Sequence, residues 1–256
     1  MPNRIWIAYL TIVRREFIRF FRIWTQTLLP PIITTSLYFV IFGAFLGSQI
    51  SDIEGYSYMQ FIVPGLVMLS VITTSYSNVV TSFFGSKFMK NLEEIMVAPV
   101  PPWIVIAGYI TGGVARGLLV GVLVLVVALF FTKLTVFSGL IIVLFALLTA
   151  VLFSLAGLLN AIFAKSFDSV AIFPTFVLTP LTYLGGIFYP ISALPEFWQT
   201  VSKFNPILYL VNGFRYGFLG ISDVSVALSV SILVTFTVLF LIANLYLFQK
   251  GYGLRN

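Results

Sequence analysis

Charged residues in this chain stand unusually far apart. None lies between Arg22 and Asp52, Glu54 and Lys87, Lys133 and Lys165, Asp168 and Glu196, or Asp223 and Lys250, and only Arg116 interrupts the run from Glu94 to Lys133. A helix needs about 20 apolar residues to cross hydrocarbon, and every one of these gaps is long enough. Composition agrees: 60% of the 256 residues are hydrophobic and 9% are charged, against about 25% charged in soluble domains. The pattern predicts an all-α polytopic membrane protein, a single transmembrane domain over 1–256. Its six spans fall at 27–47, 59–84, 103–131, 137–164, 169–190 and 225–248. The segments are continuously apolar rather than alternating, which excludes a barrel.

Lysine and arginine set the expected orientation. Six spans place both termini on one side, with Arg4, Arg14, Arg15, Arg19, Arg22, Lys87, Lys90, Lys165, Lys250 and Arg255; the other side holds Lys133, Lys203 and Arg215. That bias puts the termini in the cytoplasm. The first apolar run follows a basic stretch without a small-residue cleavage pattern, so no signal peptide is expected. Residues 204–222 are apolar but divided by Asn205-Pro206, Asn212-Gly213 and Arg215. A seventh crossing there would move Lys250 and Arg255 outside, so 191–222 reads as re-entrant helices on the outer face between spans five and six.

Residues 1–25 read as an amphipathic helix in the interface. Trp6, Leu10, Val13, Phe17, Phe20 and Trp24 recur every three or four residues, with Thr11, Arg15, Arg19 and Arg22 on the other side facing lipid phosphates. An anchor explains the pattern; a gate that moves during transport is the sharper reading. Nucleic-acid binding is disfavoured because lipid-seeking aromatics back a short basic face.

Between spans two and three, Phe88, Leu92, Ile95 and Met96 share helical spacing while Lys87, Lys90, Glu93 and Glu94 take other faces, and Pro99, Pro101 and Pro102 end the run. Two readings stand: a short helix docking into a groove on a cytosolic partner, or an ordinary capped turn. Span two is polar in its middle, from Ser70 through Thr73, Thr74, Ser77, Asn78 and Thr81 to Ser82, and Thr175, Thr179, Thr182 and Gly186 form a stripe in span five. Such hydroxyls serve packing or a pathway. Pro174 and Pro180 should bend span five and free carbonyls.

Arg116 sits inside a span among Gly108, Gly112, Gly113, Gly117 and Gly121. A central arginine costs about 2.5–3.5 kcal/mol to insert. It therefore either hydrogen-bonds carbonyls that the glycines let come close, or binds an anionic headgroup of cargo. Asp52, Glu54 and Asp168 read as solvated loop charges. The absence of His and Cys argues against a membrane-embedded transferase, and no mid-span carboxylate or internal repeat supports a secondary carrier or channel. A purely structural scaffold leaves the loop helix unexplained. Gly85-Ser86-Lys87 lacks the upstream glycine of a phosphate loop, so the chain is not expected to hydrolyse ATP by itself.

Asn91-Leu92-Glu93-Glu94-Ile95-Met96-Val97-Ala98-Pro99 resembles the T-L-E-x-L-L-x-x-P signature of ABC-2 type transporter permeases. Gly185 to Pro190, Leu194-Pro195, Asn205-Pro206-Ile207-Leu208-Tyr209 and Phe214-Arg215 resemble that family's outer-face end. Lys90 departs from the glycine often found before the signature. The resemblance implies a homodimer above two copies of an ABC ATPase subunit that carries the ATP and Mg, with no cofactor on this chain. It makes 86–100 a coupling helix acting through Phe88, Leu92, Glu93, Glu94, Ile95 and Met96. It makes Asn205, Pro206, Tyr209 and Arg215 the outer re-entrant motif. It also places spans two and five at the interface, with Thr74, Asn78, Thr81, Thr175, Thr179 and Thr182 lining the pathway. Uncharged, hydroxyl-rich and aromatic walls suit an amphipathic or lipid-like cargo (drug, lipid or glycolipid), exported across a bacterial inner membrane among its lipids.

Overall fold

The computed structural model describes residues 2–47 and 52–253, and within them it is helical, without a strand. Helix α1 (Pro2–Arg22) leads through the short α2 (Trp24–Thr27) into α3 (Leu29–Tyr38), which continues as a wider π-helical segment, Phe39–Leu46. The long helices are α4 (Tyr58–Phe88), α6 (Pro102–Ala128), α7 (Gly139–Phe163) and α12 (Val226–Lys250); α5 (Asn91–Val97) lies between α4 and α6. After α7 come α8 (Phe167–Phe173), a π-helical turn Pro174–Leu178, α9 (Thr179–Tyr183), a 3-10 turn Ile191–Ala193, α10 (Glu196–Lys203) and α11 (Pro206–Leu219). Five helical segments are long and apolar enough to cross a membrane: Trp24–Gly43, α4, α6, α7 and α12. The segment expected as a fifth span, 169–190, is not one continuous helix.

Two breaks follow from proline. Pro31 has no N–H for the carbonyl of Thr27, and the chain turns between α2 and α3 there. Pro174 likewise cannot donate to Val170, and the helix widens into a π turn in which the Thr179 N–H reaches the Pro174 carbonyl. The freed carbonyl expected from Pro174 is present. The orphaned Val170 carbonyl is satisfied by Asn160 Nδ2 of α7 at 2.9 Å.

Helix α4 is the centre of the bundle, packed along α6 and α7 and touched by α11, and most of its residues are buried. The outermost long helix, α12, buries only Ser229, Leu233, Asn244 and Phe248. Close approach of α4 and α7 depends on Gly157, where a Cβ would stand 2.5 Å from the Tyr76 carbonyl oxygen. Backbone cannot yield as a flexible side chain can. Gly157→Ala is therefore expected to destabilise the purified protein by about 1–3 kcal/mol, read as a lowered thermal-unfolding midpoint in detergent.

Candidate functional site

A polar network joins α1 to α4 and α6. On α1 the buried residues are Ile12, Glu16 and Phe20, spaced by one helical turn, and Glu16 is wholly buried. Gly108 and Gly112 of α6 lie directly against Ile12 and Glu16, because only residues without side chains let the helices approach this far. Glu16 accepts from Arg19 at 2.9 Å and from Ser82 Oγ at 2.5 Å. Arg19 also donates to Asn78 Oδ1 at 2.7 Å, and Arg15 donates to the Tyr109 hydroxyl, which passes a hydrogen bond to Ser86. Arg15 and Arg19 thus turn toward the protein rather than outward toward phosphates. Trp6, Leu10 and Trp24 remain exposed.

Arg116 completes the network. It donates to Asn78 Oδ1 at 3.3 Å and to the carbonyl of Thr27 at 3.1 Å, the carbonyl that Pro31 leaves without an amide partner. Gly117 lies against Ser75 of α4, which brings α6 close enough for this reach.

A lateral groove of about 500 Å³ opens between α4 and the broken α8–α9 segment. Thr73, Ser77 and Thr81, one turn apart on α4, line it opposite Thr179 and Thr182, with Tyr38, Tyr76 and Phe188 among the aromatic walls. Of the residues expected from sequence, Thr81, Thr179 and Thr182 are therefore brought together. Thr74 and Asn78 are buried elsewhere in α4, the latter inside the arginine network, and Thr175 is exposed but outside the groove. Thr73 and Thr182 donate back to carbonyls of Leu69 and Thr179, at 2.8 and 2.7 Å, and Thr81 to that of Ser77. Hydroxyls engaged in this way add little polarity to the wall.

At one end of the bundle α5 is held from beneath. Leu92 is 1% exposed and belongs to the core, with Ile95 packed partly against it, whereas Val97 is 87% exposed and Phe88, Glu93 and Glu94 are also outward. The expected grouping of Phe88, Leu92 and Ile95 as one presented face is corrected accordingly: the face that points out is Phe88, Glu93, Glu94 and Val97. The side chain of Met96 and Arg255 lie outside the described residues. Phe88 and Phe84 both contact the ring of Phe167, the first residue of α8, with centroids 5.0 Å apart in each pair. Lys90 adopts a left-handed conformation, φ +61°. Glycine accepts that conformation without strain, which fits the glycine that the resemblance led one to expect at this position. Lys87, buried, donates to the carbonyls of Ile162 and Ala164 at 2.9 and 2.8 Å and so caps the end of α7.

The other end is built on α11. Asn205 caps it, accepting from the Ile207 amide and donating to the Leu181 carbonyl at 2.6 Å, and Pro206 occupies the first helical position. The Tyr209 hydroxyl donates to the Lys203 carbonyl at 2.6 Å. Arg215, 1% exposed, donates to the carbonyls of Gly186 at 2.6 Å and Phe61 at 3.3 Å, its guanidinium 3.7 Å from the Phe61 ring centre. Arg215 thus fastens α11 to α4 and to the turn at Gly186, whose φ is +69°, while Asn205 ties it to α9 and Tyr209 to the end of α10.

Residues 7–219 match the ABC-2 type transporter family. The chain belongs to that family. Over 256 residues, the whole of both chains, it is 57% identical to the inner membrane transport permease YadH of Escherichia coli K12 and to that of Shigella flexneri. It is 22% identical to nodulation protein J of Rhizobium leguminosarum bv. viciae over 250 residues, 95% of each chain. With nodulation protein J of Rhizobium leguminosarum bv. trifolii the figure is 26% over 238 residues, 91% of this chain and 88% of the relative.

Several structural residues of this ABC-2 permease escape sequence reasoning. Glu16 is the only acidic residue before Asp52, and its spacing with Ile12 and Phe20 was the available signal. Nothing in its basic neighbours Arg14, Arg15 and Arg19 marks a carboxylate there as buried. Lys87 and Asn160 satisfy carbonyls distant in sequence, and no local pattern marks such a partner.

Proposed function

We propose that this chain is the membrane subunit of an ATP-driven exporter, working as a homodimer on two copies of a separate ABC ATPase that binds ATP and Mg. In this reading α8, the π turn and α9 together form the fifth of six crossings, and α12 the sixth. Both termini are then cytoplasmic and α1 lies in the cytoplasmic interface of a bacterial inner membrane. Helices α10 and α11 cap the outer end as re-entrant elements. The groove beside Thr73, Ser77, Thr81 and Thr179, uncharged and partly aromatic, suits an amphipathic or lipid-like cargo such as a drug, lipid or glycolipid. Arg116, held by Asn78 and Thr27, acts as a structural tie.

The observation that carries this reading is the construction of α5. It is pinned to the core through Leu92, while Phe88, Glu93, Glu94 and Val97 face outward between two long apolar helices. A helix built this way transmits force: its inner side cannot slide without moving α4, and its outer side is free to meet a partner. ATP-driven closure of the ATPases would push that outer side and tilt the protomers apart at their outer ends.

Because Leu92 lies in the core, aspartate there would damage the permease itself, and the informative test is on the outer face. Val97→Asp with Glu93→Lys is expected to lower cargo-dependent ATP hydrolysis of the reconstituted complex by about tenfold or more, with the permease's thermal midpoint unchanged. Wild-type coupling in that variant would refute the assignment of α5. Transport by the permease alone, without an ATPase, would point instead to a carrier or channel.

A further inference from the structure

Beside the groove lies a second cleft, about 690 Å³, between α1 and the α5 end of α4. Arg14, Arg15, Arg19 and Arg22 all line it, with Ser82 and Ser86 facing them from α4, and no carboxylate is among its lining residues. Glu16 pairs with Arg19 at 2.9 Å and stands 3.8 Å from Arg15, so it offsets part of the charge of those two, and the uncompensated charge at the cleft is that of Arg14 and Arg22. Arg14 and Arg22 are exposed and make no ion pair or side-chain hydrogen bond among the described residues. Thr81 lines this cleft and the lateral groove alike, so the two cavities meet at that residue.

Arginines that merely fixed topology would project separately into solvent. Here Arg14 and Arg22, free of ion pairs, border a concavity with low-dielectric walls, which focuses positive potential. Planar guanidinium forks match the oxygens of a phosphate group. The neighbouring groove is weakly polar and aromatic. A ligand filling both cavities needs an anionic head and an apolar body.

We propose that the arginine cleft binds the phosphate group of an amphiphile whose apolar part passes Thr81 into the groove beside α8 and α9. The inference deepens the proposed function, on which its meaning as a cargo site rests. It names the chemistry the site recognises, a phosphate group on an apolar body, whether that amphiphile is a bilayer phospholipid or a cargo.

The test uses the intact purified permease in a neutral maltoside detergent, with dodecyl phosphate and inorganic phosphate as probes and binding followed by native mass spectrometry. The wild type is expected to bind dodecyl phosphate at least about tenfold more tightly than inorganic phosphate. Arg14→Gln with Arg22→Gln, two positions outside the buried network, should weaken dodecyl phosphate binding by about tenfold or more. Thr81→Phe, which closes the junction, should remove the advantage of the dodecyl chain while leaving inorganic phosphate binding intact. Displacement of dodecyl phosphate by dioleoyl phosphatidylglycerol assigns the site to bilayer phospholipid, and failure to displace it assigns the site to a phosphorylated cargo; both agree with the proposal. Unchanged binding in the double arginine variant, or equal binding of the two phosphates by the wild type, would overturn it. No ATPase is present, so a negative result here leaves the α5 coupling experiment standing, and failed coupling leaves this binding result standing.

Discussion

Replacing Glu16 with leucine should lower the stability of the permease by about 3–5 kcal/mol, seen as a large drop in its thermal midpoint in detergent. The carboxylate is wholly buried and holds Arg19 at 2.9 Å and Ser82 at 2.5 Å, and Arg15 and Arg116 belong to the same network. Removing the anion leaves several guanidiniums facing one another without a counter-charge in a place where water enters poorly. The penalty is mainly that of stranding a charge, so a second substitution should recover part of it. Adding Arg19→Met to Glu16→Leu is expected to restore about half of the loss, since an apolar pair can replace a buried ion pair at little net cost. Asn78 would then lose its Arg19 donor but keep Arg116. If Glu16→Leu leaves the midpoint unchanged, the network does not hold α1 to α4.

The second large effect is expected at Arg215. Its side chain ties α11 to the Gly186 carbonyl at 2.6 Å and to the Phe61 carbonyl at 3.3 Å, and it rests on the Phe61 ring. Arg215→Ala abandons both carbonyls in a buried site and removes the stacked guanidinium, a loss of about 3–5 kcal/mol. Arg215→Lys should recover little, because one ammonium cannot reproduce the guanidinium's flat contact with the ring while serving two separated carbonyls. Thermal unfolding together with limited proteolysis of 184–206 distinguishes this local fastening from a general loss of folding. Protection of that segment in Arg215→Ala would contradict the tie.

The arginines show where sequence reasoning stops. Arg116 was legible as a buried charge, but its partners were not: the Thr27 carbonyl depends on Pro31, and Asn78 lies on another helix. Asn78 and Thr74 looked like wall residues because they share a polar stretch with Thr81. In the fold only the stripe Thr73, Ser77, Thr81 reaches the groove. Leu92 and Ile95 were legible as one apolar stripe with Phe88, yet that stripe divides between core and surface.

Sequence alone determined the chain's class, because runs this long without charge have no place in water, and its family, because the Asn91–Pro99 and Gly185–Arg215 motifs survive as strings. Tertiary structure decided which side of each helix meets protein. A helix that is apolar all round carries no amphipathic contrast to orient it. In lipid its packing face is set instead by small residues and by polar groups seeking partners. Those partners here, Glu16 with Arg19 and Ser82, Arg116 with Thr27, Asn160 with Val170, lie on separate elements or across a break, so only folding brings them into register.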